Sequence, residues 1–105
     1  MNSSRKGFNA ERELLGILHE HGIEAVRNIQ KYCSGFENPD IAATFKGIKL
    51  HAEVKRQEKL SITNAMSQAV HDANGKAFPL IIHRTNRQPW LVTFRLDDFF
   101  REIEK

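Results

Sequence analysis

The stretch from Asn38 to Lys55, NPDIAATFKGIKLHAEVK, constrains the fold of this chain more than any other. Two runs rich in apolar and β-branched residues flank Lys46-Gly47, so they read as a hairpin around a two-residue turn. Such a turn fixes the partners. Phe45 faces Ile48, Ala43 faces Leu50 and Ile41 faces Ala52 on one apolar face. The other face pairs Thr44 with Lys49, Ala42 with His51 and Asp40 with Glu53. Lys55 follows Glu53 on that face because side chains alternate along a strand. Directly opposed carboxylates repel one another. Taken alone, the hairpin leaves two readings open: a solvated outer face, or a pair of acids that holds a divalent cation.

The second reading has definite chemistry. Mg²⁺ prefers hard oxygen ligands and takes one or two carboxylates while keeping waters for a phosphate group. A cation so held activates water and stabilises charge on a phosphodiester during hydrolysis. Lys55, next on the same face, is placed to orient the water or to neutralise the transition state.

The rest of the chain supplies a frame. Leu14, Leu15, Ile17 and Leu18 recur at helical spacing between Phe8 and His21, and Gly22 is a natural stop. Ile23 to Ile29 reads as a short strand, and residues 31–39 as a loop punctuated by Gly35, Asn38 and Pro39. Ser61 is a fitting N-cap for a second helix in which Ile62, Ala65, Met66, Ala69, Val70 and Ala73 form one stripe, ended by Asn74-Gly75. Phe78–His83 and Trp90–Phe94 read as strands, and RLDDFFREI as a last amphipathic helix. The order α-β-β-β-α-β-β-α predicts an α/β fold: a mixed sheet flanked by helices, with the second helix as a crossover between parallel strands.

Composition narrows the classes. A chain of 105 residues supports one core, so a single domain over 1–105 is expected. Its 40% apolar and 28% charged residues are those of a globular protein, and no apolar run is long enough to span a bilayer. The lone Cys33 and the lack of a secretory apolar segment at the start point to a reducing cytoplasm. The formal net charge of +3 is a mild sign of a polyanionic partner.

The first helix offers an independent check. Glu11 precedes Leu14, Leu15 and Leu18 at i+3, i+4 and i+7 and so lies on the apolar stripe, whereas Glu13 falls on the outer face. A carboxylate facing a core is costly unless paired or metal-bound. Glu11 is read either as a buried ion pair or as a further acid at the same metal site.

These residues carry a resemblance. NPD at 38–40 with EVK at 53–55 is similar to the PD-(D/E)xK nuclease signature. The run RKGFNAERELLGILHEHGIEAVRN resembles the opening of archaeal-type Holliday junction resolvases, and the likeness extends into PWLVTF. It implies a restriction-endonuclease-like αβββαβ core in which Glu11, Asp40, Glu53 and Lys55 form the active site. Glu11, Asp40 and Glu53 would hold Mg²⁺, with Mn²⁺ as a substitute, and the carbonyl of Val54 would add a ligand. It further implies a homodimer that binds branched DNA, the four-way junction above all. Ser34 stands near the place of a loop serine usual in that family. The C-terminal helix is an addition to the compact pattern. Nucleases with this core cut other DNA in repair or restriction, and a DNA-binding module without catalysis is the alternative from another class.

Arg5, Lys6, Arg27, Lys31, Arg56, Lys59, Arg84 and Arg87 are candidate phosphate contacts, expected around one sheet face. Gln68, at the edge of the second helix's stripe, reads as a surface residue or a polar neighbour of the metal site. His51, two residues before Glu53 on its face, reads as a plain polar-face residue, with a supporting neighbour of the metal acids or a DNA contact as the alternative. Trp90 and Phe94 share a strand face and read as core.

Overall fold

The computed structural model describes residues 3–27 and 39–105, with side chains in the first helix from Asn9 onward. The order is helix α1 (Ser3–Glu20), strands β1 (Glu24–Arg27), β2 (Ile41–Phe45) and β3 (Ile48–Arg56), helix α2 (Ile62–Ala73), strands β4 (Phe78–Arg84) and β5 (Leu91–Thr93), and helix α3 (Leu96–Ile103). This is the expected order. The first helix begins earlier than its apolar periodicity indicates, because SSRKG carries no apolar pattern to mark it.

Each element ends for a local reason. At the end of α1, Gly22 N–H donates to His19 O (3.0 Å) and Ile23 N–H to Leu18 O (3.0 Å). That double closure needs a left-handed residue, and Gly22 supplies it at φ 74°. Helix α2 is capped by Ser61, whose side chain accepts from Asn64 N–H, and it ends on left-handed Asn74. Lys46 and Gly47 both have positive φ (51° and 81°), as a two-residue turn that matches strand twist requires.

The five strands lie in the order β1-β2-β3-β4-β5. All neighbours are antiparallel except β3 and β4, which run parallel, as the α2 crossover requires. The hairpin register follows the sequence argument pair for pair, from Ile41 opposite Ala52 to Phe45 opposite Ile48. Its apolar face meets α1. Leu14 packs there with Ala25, Ile41, Ala43, Ala52, Leu80 and Ile82. By alternation, Ile81 points to the other face, on which α2 lies, and it is fully buried. The sheet is therefore covered on both sides around the strand that carries Glu53 and Lys55.

Candidate active site

Asp40 sits one residue ahead of β2, and Glu53 lies in β3 one step beyond the Ile41–Ala52 pair. The hairpin thus delivers the two acids to facing positions, close enough for the charge of Asp40 to act on the Glu53 carboxyl. Asp40 is anchored through Oδ2, which accepts the Val54 N–H at 2.9 Å. Glu53 is anchored through Oε2, which lies 2.8 Å from His51 Nε2. The carboxyl of Glu53 is raised above its ordinary range. Burial is the main cause, the His51 hydrogen bond opposes it, and the charge of Asp40 adds to it. Two carboxylates pressed together and partly buried form a donor set of the kind a hard divalent cation neutralises.

Lys55 extends from the same face as Glu53 and, among the described residues, makes no hydrogen bond or ion pair. An ammonium held beside two acids without being consumed by either is suited to a phosphate oxygen or an attacking water.

His51 corrects the sequence reading. Its face was expected to be plainly polar, yet the ring is 3% exposed because α2 covers it. His51, Glu53 and Asp72 of α2 bring one ligand atom each within 4.8 Å of one another. Gln68 Nε2 donates to Asp72 Oδ1 at 2.9 Å, which ties that residue to the same cluster one step out. Asp72 was not singled out from the sequence. Its position on the α2 stripe, three residues past Ala69, was the available signal.

Glu11 is 14% exposed at its side chain and accepts from Arg27 Nε at 3.1 Å, so the core-facing acid is neutralised by a β1 arginine. Glu13 is exposed, as its outer-face position implies, yet it accepts from Arg84 (2.7 Å), Arg56 (3.3 Å) and the Trp90 indole N–H (3.1 Å). Glu13 thereby pins α1 to β3, β4 and the approach to β5. Each guanidinium carries these bonds through Nη1, while the Nε atoms of Arg56 and Arg84 are buried without a partner.

The expected basic set therefore divides. Arg56 and Arg84 pair in register on the face of Val54 and Ile82, opposite that of Lys55, because adjacent strand residues point opposite ways. Arg27, in line with Ile41 and Ala52, lies on that same face and is paired with Glu11. Lys59 and Arg87 are exposed in loops, and Arg87 has positive φ (65°) at a turn. Arg5 and Lys6 lie in the first turns of α1, and Lys31 and Ser34 lie outside the described residues. Trp90 is packed against the core, as expected, whereas Phe94 is 37% exposed.

Fold and site together define a metal-dependent nuclease of the PD-(D/E)xK class: a mixed sheet whose hairpin joins Asp40 to Glu53, with Lys55 two residues on. The model of the archaeal Holliday junction resolvase family, Hjc, matches residues 2–104. The chain belongs to that family, and its activity is that of a Holliday junction resolvase, a metal-dependent endonuclease. Among solved structures it is similar to Archaeoglobus fulgidus Hjc, a Holliday junction resolvase from an archaeal hyperthermophile. The two share 29% identity with a TM-score of 0.66 over 85% of this chain and 72% of that one. No curated protein sequence matches the chain.

Proposed function

We propose that Asp40, Glu53 and Glu11 hold Mg²⁺ or, in its place, Mn²⁺, with the Val54 carbonyl as a further ligand, and that Lys55 serves the water or the scissile phosphate. The hairpin register that sets Asp40 opposite Glu53, with Lys55 next on that face, is the observation that carries this reading. When bound, the cation supplies Lewis acidity and an activated water. The chain's own residues do the rest. The Val54 N–H and His51 fix one oxygen of each acid, so that the pair is oriented before substrate arrives. Arg27 compensates the charge of Glu11, and Lys55 stabilises charge that develops on the phosphate.

The substrate in this reading is four-way or other branched DNA, cut by a cytoplasmic homodimer made of one nuclease domain per chain. Lys59, Arg87, Arg5, Lys6, Lys31 and Ser34 are the residues left to contact the DNA backbone, with Gln68 in support through Asp72. The experiment is cleavage of synthetic four-way junctions against linear duplex, with Mg²⁺ or EDTA, for wild type, Asp40→Asn and Lys55→Ala. Junction cleavage that needs the metal and both side chains is expected. Equal nicking by the variants would overturn the site assignment, and equal cutting of junction and duplex would remove the junction preference.

A further inference from the structure

Helix α3 leaves its apolar stripe open. Leu96, Phe99, Phe100 and Ile103 recur at i, i+3, i+4 and i+7, the stripe that a surface helix normally buries. Here these four are 63, 39, 43 and 59% exposed. The buried residue of α3 is Asp98, covered by arginines of its own helix and N-cap: it accepts from Arg95 Nε (2.8 Å), Arg95 Nη2 (3.0 Å) and Arg101 Nη1 (3.1 Å). An aromatic chain joins the helix to the body: Phe78 meets Phe94 at 5.4 Å between centroids, and Phe94 meets Phe99 at 5.7 Å. Val92, 54% exposed on edge strand β5, extends the patch on the Phe94 side.

We propose that this face, α3 with the outer side of β5, is where a second copy of this chain docks. The proposal rests on the homodimer reading above and assigns it a surface. At these exposures the six side chains present on the order of 600 Å² of apolar area, at the upper limit for a monomer's largest patch. A homodimer interface is about 65% apolar, so a patch of this size corresponds to roughly 900 Å² per partner, the size of a stable interface. The stripe is also self-complementary, as an isologous interface demands. In an antiparallel pair of α3 helices, Leu96 meets the partner's Ile103 while Phe99 meets the partner's Phe100. The same arrangement opposes the helix dipoles, with the N-terminus of each α3 beside the C-terminus of the other.

The test is sedimentation equilibrium of the full chain with Leu96→Asp and Ile103→Asp, singly and together. These are the two most exposed positions, so folding is retained, and circular dichroism verifies it. Wild type at micromolar concentration is expected at twice the 12.1 kDa chain mass and the double variant at that mass, a twofold fall. Val26→Asp, which charges the exposed apolar residue of the opposite edge strand, is expected to remain dimeric. In a Cys33→Ser background, Leu96→Cys with Ile103→Cys is expected to yield a disulfide-linked dimer. A folded double variant that stays dimeric, or a dimer broken only by Val26→Asp, overturns this surface and leaves the homodimer reading standing. A wild type monomeric at all concentrations overturns both. Flotation of such a monomer with anionic vesicles would assign the face to a lipid surface instead.

Discussion

Glu53→Gln should stabilise the metal-free protein while abolishing its activity. In the absence of a cation, burial first and then the charge of Asp40 hold the Glu53 carboxyl above its usual 4.5, against the opposing pull of His51. The folded state therefore binds this proton more tightly than the unfolded chain does. The associated stability is fully present below about pH 4.5 and is lost as the pH rises through the folded value. Glutamine removes the opposed charge, a term of about 0.2–1 kcal/mol for like charges across strands. It also removes the ionic part of a side chain that is only 14% exposed, while an amide hydrogen bond to His51 is preserved. A net gain of about 1–2 kcal/mol at pH 8 is expected, and each kcal/mol raises Tm by about 4–8 °C in a chain of this size. The assay is thermal unfolding in EDTA at pH 5 and pH 8. The advantage of Glu53→Gln should be larger at pH 8 than at pH 5, because the wild-type carboxyl takes up its proton more readily than an ordinary one as the pH falls. Adding Mg²⁺ at ten times its Kd should stabilise wild type by about 1.4 kcal/mol and leave the variant unmoved. A variant less stable than wild type in EDTA at pH 8, or a gain equal at the two pH values, would refute the reasoning.

Three further outcomes are expected. Lys55→Ala should lower the single-turnover cleavage rate by about 10²–10³ with little change in junction binding measured in Ca²⁺, and a matching loss of binding would count against a transition-state role. Glu13→Ala should cost about 1–2 kcal/mol after allowance for solvent at a half-exposed cluster, seen as a Tm lower by about 5–10 °C; a change under 2 °C would show that the Arg56–Glu13–Arg84 set contributes nothing. Lys59→Ala and Arg87→Ala should each reduce the slope of log affinity against log salt by about one, whereas Arg56→Ala should lower stability and leave that slope unaltered.

The hairpin was legible because its turn and its alternation are local facts. Lys46-Gly47 sets the register, and the register brings Asp40 to Glu53 without knowledge of any other element. Glu11 was legible as a misplaced acid, though its partner Arg27 was not, since the pairing spans the turn between α1 and β1. The exposed position of Glu13 was legible, but its partners were not, for a related reason. A helical wheel counts apolar neighbours and gives no weight to two arginines that arrive from β3 and β4. Asp72 escaped notice, and the burial of His51 was not foreseen, because only the packing of α2 on the second face of the sheet turns a polar strand position into a buried one. The exposed stripe of α3 had no local signature at all. Its pattern is that of any amphipathic helix, and only the tertiary structure shows that Phe99 alone of the stripe meets Phe94 while the rest stays open.

The placement of the ExK segment on β3 has a consequence for how the enzyme fails. Glu53, Val54 and Lys55 pair in register with Ile81, Ile82 and His83 on one side, and the Val54 amide is closed on the other by Asp40. Amide hydrogens along this segment are shielded from exchange until the sheet itself opens, so their exchange should report the global unfolding free energy rather than a local one. Brief excursions that fray the short edge strands leave the chemistry intact. Heat should therefore extinguish cleavage and the cooperative loss of the sheet in a single step, with no folded but catalytically dead form in between.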